Sequence, residues 1–159
     1  MKTKNLIAAV LLILSVGFAS CKDEDVIPHN AECGIFNFTE AEFVSWCIVP
    51  NVVSRNSVNM MRIENHTQKT LSFGTSFSLE YFNKNEWIPI QLHGAMWEKI
   101  LLGFLSGEVS ERYTDLYSFV KKYNNAKKGK YRVVRQYDLN NFPNDFLDIF
   151  TLYAEFIVK

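Results

Sequence analysis

Hydrophobic and polar positions divide the chain into three stretches with different rhythms. Lys2 and Lys4 precede an almost unbroken apolar run from Leu6 to Phe18, which ends on the small residues Ala19 and Ser20. That run falls short of the about 20 apolar residues needed to span a bilayer core. A basic front, a short apolar core and a small-residue exit describe a cleavable secretory signal over residues 1–20. The stretch after Cys21 opens with Lys22-Asp23-Glu24-Asp25 and, with only Val26, Ile27 and Pro28 apolar before Asn30, holds too little apolar surface to fold alone. Beyond it, apolar and polar residues alternate in short segments. Phe77, Leu79 and Tyr81 share one face, with Ser76, Ser78 and Glu80 on the other. Tyr131, Val133 and Tyr137 likewise oppose Lys130, Arg132 and Gln136. Period two marks strands with one buried face.

Seven segments carry this signature: Ser45–Val49, Val58–Glu64, Phe77–Phe82, Trp87–Leu92, Ser110–Leu116, Lys130–Tyr137 and Leu152–Val158. Turn chemistry separates them at Asn65-His66-Thr67-Gln68, at Asn83-Lys84-Asn85-Glu86 and from Asn140 to Asp145 around Pro143. Short strands with frequent turns predict an all-β sandwich of about seven strands over residues 45–159. Residues 21–44 then form a tether and N-terminal segment. Two stretches break the alternation. Met96, Ile100, Leu101 and Leu105 recur at helix-like spacing, which predicts a loop of helical character over residues 95–105. Asp115–Tyr123 fits a strand extension or a helical turn equally well.

Composition changes this picture in a few respects. After removal of residues 1–20 the chain is long enough for one domain with a real core, not for two. The seventeen acidic residues all survive that cleavage while Lys2 and Lys4 do not, so the formal charge moves from zero to roughly −2. There is no basic excess to neutralise phosphates, which argues against a nucleic-acid partner. Besides Cys21 the mature chain has two cysteines, Cys33 and Cys47. In an oxidising compartment such a pair suggests a disulfide, which could stabilise the fold by about 3 kcal/mol; two buried thiols are the alternative. His29, His66 and His93 are scattered singly and no C-x-x-C occurs, so no metal site and no cofactor is expected.

Phe18-Ala19-Ser20-Cys21 resembles the lipobox of bacterial lipoproteins, with Phe18 where Leu is usual and Ser20 where Gly or Ala is commoner. The resemblance implies cleavage before Cys21, acylation of that residue and attachment to a membrane through the lipid. Two or more acyl chains give stable anchoring. Cys21-Lys22-Asp23-Glu24-Asp25 also resembles the acidic export tag of surface-exposed lipoproteins in some Gram-negative bacteria; the alternative is a plain solvated spacer. The expected location is the bacterial envelope, as an outer-membrane lipoprotein facing the periplasm or the surface.

Further along, several pieces occur in the order of a known domain. Val58-Asn59-Met60-Met61-Arg62-Ile63-Glu64 runs into an Asn-x-Thr turn at Asn65-His66-Thr67, followed by Leu71-Ser72-Phe73-Gly74 and Phe77-Ser78-Leu79-Glu80. Trp87 sits in the next hairpin, Leu105-Ser106-Gly107-Glu108-Val109-Ser110 turns into a later strand, and Gly129–Val134 and Ala154–Val158 close the series. Residues 58–158 thereby resemble the bacterial immunoglobulin-like domain family. The resemblance implies an immunoglobulin-like β-sandwich with a binding or structural role. In such sandwiches a tyrosine opens strand F and its hydroxyl bonds a backbone group upstream. Gly129-x-Tyr131-x-Val133 suits that corner, with Val133 where antibody domains place a cysteine; an ordinary strand aromatic is the alternative. Departures from the family are Cys47, an insertion over Gly94–Ser106, and the loop around Pro143. That loop joins the last two strands and carries Phe142 and Phe146 among polar residues. They suit an anchor for a protein or glycan partner, or caps folded onto the core.

No G-x-S-x-G, H-E-x-x-H, P-loop or G-x-G-x-x-G is present, and no pair of carboxylates stands out by spacing. The expectation is a non-enzymatic envelope lipoprotein that displays an immunoglobulin-like domain for adhesion, partner binding or envelope assembly. The alternatives are a small hydrolase or glycan-processing protein with a loop-built site, and an accessory or inhibitor subunit of an envelope enzyme.

Overall fold

The computed structural model describes residues 32–96, 101–140 and 148–159. In chain order the described elements are β1 (Gly34–Asn37), β2 (Phe43–Val49), β3 (Val52–Val53), β4 (Asn59–Asn65), β5 (Thr70–Gly74), β6 (Ser78–Asn83), β7 (Glu86–Ile90), β8 (Leu101–Phe104), β9 (Val109–Thr114), α1 (Leu116–Asn124), β10 (Gly129–Asn140) and β11 (Asp148–Val158). They build two sheets, β1-β2-β4-β9 and β3-β11-β10-β5-β8, the second extended by β6 on β10 and β7 on β6. Both sheets are antiparallel throughout except where β3 joins β11 in parallel.

The strands form where alternation allows one row to be buried. In β4 the inward row is Asn59, Met61, Ile63 and Asn65; in β10 it is Tyr131, Val133, Arg135, Tyr137 and Leu139. Val44, Trp46 and Ile48 of β2 and Phe150, Leu152, Ala154 and Phe156 of β11 complete the interior. At its centre the Tyr137 ring meets Trp46 edge-on and packs on Phe73 and Phe150. Burying one such side chain contributes about 1.5–3 kcal/mol.

Every strand expected from alternation is present, but the described residues hold eleven strands rather than about seven. The additional ones are β1, β3, β5 and β8. They span two to five residues, and β5 buries three in succession, so period two has no room to show in them. The sandwich also begins upstream of residue 45. β1 pairs with β2, and Phe36 and Phe38 pack against Phe150. Gly34 is required there, because a Cβ would lie 1.9 Å from the Tyr153 carbonyl oxygen. The helix-like spacing of 95–105 does not yield a helix in its described part: Leu101–Phe104 is β8, held by backbone pairing to β5.

The open stretch after β9 resolves as α1. Asp115 stops the strand because its carboxylate accepts a hydrogen bond from the Ser118 amide at 2.9 Å and caps the helix. That bond also holds the Asp115 carboxyl below its usual range. Leu116 and Val120, one turn apart, face the core, and Phe119 packs on Phe77. Asn125 ends the helix in the left-handed conformation. The Tyr131 hydroxyl donates to the Lys127 carbonyl at 2.6 Å and accepts from the Asn124 side chain at 2.8 Å, so the end of α1 is tied to the start of β10. Gly129 precedes it at φ +144°, where a Cβ would also lie 2.7 Å from the Tyr81 ring.

Asn65 performs the same service at the end of β4. Its amide nitrogen donates to the carbonyls of Lys69, Phe104 and Leu105, and its amide oxygen accepts from the Thr67 backbone and hydroxyl. One buried side chain thereby joins the ends of β4 and β8 and the turn into β5. Two other buried polar atoms, the Tyr137 hydroxyl and Trp46 Nε1, have no hydrogen-bond partner among the described residues.

Three outcomes follow from these bonds. In urea denaturation, Tyr131→Phe should cost about 0.5–1.5 kcal/mol, whereas Tyr137→Phe should leave stability unchanged or raise it, since its hydroxyl is desolvated without return. Equal losses in the two variants would contradict this assignment. Asn65→Ala should cost about 3 kcal/mol, because it removes five bonds and leaves buried carbonyls unpaired. Burial pushes the Tyr131 hydroxyl up to about 12 from an ordinary 10.0, and pushes Tyr137 up as well. A raised folded-state value means the stabilisation is complete below the unfolded value and is lost as pH rises through the folded one. Unfolding free energy should therefore hold level up to about pH 10 and fall from there towards about pH 12, and the fall should be shallower in a Tyr131→Phe/Tyr137→Phe double variant.

Candidate binding face

The β6–β7 hairpin turns through Lys84 and Asn85, both at positive φ, as a two-residue connection with the twist of its strands requires. Its register sets Phe82 opposite Trp87, with ring centroids 5.0 Å apart. Across the sheet the pairing places Pro89, Glu80, Arg132 and Glu155 in one row over four strands, all on the face turned away from the core. Arg132 Nε donates to Glu80, and its guanidinium lies 4.4 Å from the Trp87 ring centroid and 5.3 Å from that of Tyr153. Lys130 pairs with Glu155 at 2.6 Å and lies over the Phe82 and Trp87 rings. Glu155 also accepts the Glu32 amide, which fixes the start of the described chain to this sheet.

The charges here are largely matched, and the guanidinium and ammonium groups are held against aromatic faces. Such contacts contribute about 0.5–2 kcal/mol each, depending on desolvation. The result is a firm, half-buried patch of Phe82, Trp87 and Tyr153 set among paired ions.

Next to this patch the sheet has a notch. β10 pairs with β6 over Tyr131–Val134 and with β5 over Asp138–Asn140. Between these spans, residues 135–137 face the five residues 73–77, so the strand path bulges away from β10. A depression of about 760 Å³ opens there, lined among others by Ser76, Ser78, Gln136, Asp138, Ile149 and Thr151. Ile149, Thr151 and Tyr153 are successive outward positions of β11, so notch and aromatic patch form one continuous face.

Arg135 sits at the notch, pointing inward between Val133 and Tyr137. It is 8% exposed. Nε donates to the Ser76 carbonyl and Nη2 to that of Thr75, both at 3.2 Å, and the guanidinium lies against Trp46, Phe73 and Phe77. Burial is the main cause holding its pKa below the usual arginine value.

Of the residues singled out from the sequence, Cys33 and Cys47 are joined by a disulfide. The register that pairs Gly34 with Trp46 brings them opposite each other. Tyr131 occupies the corner at the start of β10 described above. Cys21, Phe142 and Phe146 lie outside the described residues. Trp87, Arg132, Tyr153 and Arg135 were not singled out as a site. The signal for Arg135 was present, since alternation sets it on the same side as Tyr131, Val133 and Tyr137. The meeting of Trp87, Arg132 and Tyr153 depends on three strands, with Arg132 lying 45 residues from Trp87 and 21 from Tyr153.

No curated protein matches the chain. Among solved structures, a protein from Archaeoglobus fulgidus is similar over 82% of this chain and 96% of its own, at 11% identity and a TM-score of 0.27, a likeness too loose to bear on fold or function. The sequence profile of the bacterial Ig-like domain matches residues 44–157, which takes in every strand from β3 to β10 and nearly all of β2 and β11. With that match, and with two sheets closed over one core and a tyrosine bond at the entry to β10, this chain belongs to the bacterial Ig-like domain family.

Proposed function

We propose that this protein is a non-enzymatic lipoprotein of the bacterial envelope, anchored through Cys21, that binds a partner with the outer face of its larger sheet. The observation that carries the reading is the cluster of Trp87, Arg132 and Tyr153 on that face. Aromatic residues and arginine concentrate binding energy at protein interfaces, and here they are fixed on paired strands, so little side-chain freedom is lost on contact. An immunoglobulin-like domain supports a binding or adhesive role rather than catalysis, and the lipobox-like exit at Phe18–Cys21 supports the anchor. Among the described residues no helix is long and apolar enough to cross a membrane. The polar stretch after Cys21 would then hold the domain off the bilayer, free to face the periplasm or the surface.

Two measurements test this. Cys21→Ser should abolish labelling by an alkyne fatty acid, and labelling that persists would remove the anchor from the proposal. Trp87→Ser with Tyr153→Ser should abolish retention of the partner in a pull-down from envelope extracts, while the thermal midpoint falls by only a few degrees. Retention unchanged in that double variant would move the binding site elsewhere.

A further inference from the structure

We propose that the cleft between Arg112 and Arg135, at the open edge where the two sheets part, binds a carboxylate carried on an apolar body. This site shares Phe77 and Arg135 with the notch of the outer face and adds Arg112 and Met61 from the other sheet.

Arg112 lies on β9 opposite Met61, whose side chain belongs to the core, so the pairing directs Arg112 to the inter-sheet side. β9 is the last described strand of its sheet, so Arg112 stands at a sheet edge, with Met96 and Thr75 also lining the space beside it. Across the gap the bulge at residues 73–77 draws the other sheet aside and admits Arg135 from below. A cavity of about 310 Å³ results, walled by Met61, Phe77 and Tyr113 and shared by both arginines. Its size is at the small end of ligand pockets.

The charges make the site specific. Among the described residues neither guanidinium is in an ion pair, although Arg62, Lys130 and Arg132 all are. Arg135 is buried with two neutral carbonyls and three aromatic rings for company, and an uncompensated buried charge is costly. Burial most disfavours the charged form of Arg135, Tyr137 partly offsets this, and Arg112 adds a like charge that disfavours it further. An anion between them removes both penalties. A carboxylate suits the place better than a multiply charged oxyanion. It is planar, it matches the fork of a guanidinium with two parallel hydrogen bonds, and a single charge next to Met61 and Phe77 leaves room for an apolar remainder. The source could be a free organic acid or an acidic group of a peptide, and the recognising chemistry is the same.

The test is calorimetric titration of the purified full-length protein in detergent with 3-phenylpropionate, 3-phenylpropionamide, inorganic phosphate and a short peptide ending in phenylalanine. The carboxylate should bind with a Kd on the order of 1 mM or tighter, and the amide and phosphate at least about tenfold more weakly. Arg112→Gln should lower the affinity for 3-phenylpropionate at least about tenfold without shifting the thermal midpoint, because Arg112 is exposed and in no ion pair among the described residues, and Arg112→Lys should restore part of it. The peptide binding more tightly than the free acid would assign the carboxylate to a polypeptide; the reverse order would assign it to a small molecule. Equal heats from acid and amide, equal binding of phosphate, or an unchanged Kd in Arg112→Gln would overturn the proposal.

Discussion

Every layer of the sandwich touches the inward row of β10. Tyr131, Val133, Arg135, Tyr137 and Leu139 alternate with side chains that face away from the core, and none of the five is more than 8% exposed. The strand is hydrogen-bonded to β11 along its length on one side and to β6 and then β5 on the other. A slip of one residue would carry that whole row to the outer face and bring Lys130, Arg132 and Gln136 inside, so the register is fixed by burial as well as by backbone bonds. The positions of β2, β5, β6 and α1 follow, because each packs on part of this row.

Apolar burial is non-directional, and in this protein polar side chains supply the directions it lacks. They stand where the buried rows end. Asn59 and Asn65 close the two ends of the inward row of β4, the first donating to the Pro50 and Val52 carbonyls, the second tying three segments together. Tyr131 does the same where β10 begins, and Asp115 where β9 passes into α1. Each satisfies backbone groups that a strand or helix end would otherwise leave unpaired in a partly dry place. The Cys33–Cys47 disulfide fixes the short β1 to β2 in the same manner, by covalent means.

The bulge between β5 and β6 connects architecture with recognition. It interrupts the pairing of β10 for three residues, and this interruption opens the outer depression beside Ile149 and Thr151. It also brings the carbonyls of Thr75 and Ser76 to the guanidinium of Arg135. Bulges bend a strand and re-aim its side chains, and here the bend lets an inward arginine reach the margin of the core. The uninterrupted part of the same sheet keeps the flat row of Glu80, Arg132 and Glu155 on which Trp87 and Tyr153 rest.

Much of this organisation was legible in the residues. Period-two alternation located the seven longer strands, since a strand that buries one face must repeat every second residue. The Gly129-x-Tyr131-x-Val133 spacing pointed to the corner, and the Asn-x-Thr turn to the end of β4, because both bonds are made within a few residues. The short strands β1, β3, β5 and β8 were hidden, as two to five residues carry too little pattern and are held by partners elsewhere. The helix-like spacing of 95–105 misled for the same reason: pairing with β5 outweighed the local preference over Leu101–Phe104. Asp115–Tyr123 stayed open between strand and helix until packing against Phe77 and the core selected the helix. The aromatic and arginine cluster on the larger sheet comes from positions 21 to 66 residues apart, and the two arginines at its margin, Arg112 and Arg135, from positions 23 apart. Sequence by itself determined the two faces of the longer alternating strands, because those depend on local periodicity. Which buried and exposed rows meet was decided only by the tertiary structure, because strand order and register are set by the closing of the two sheets on a single core.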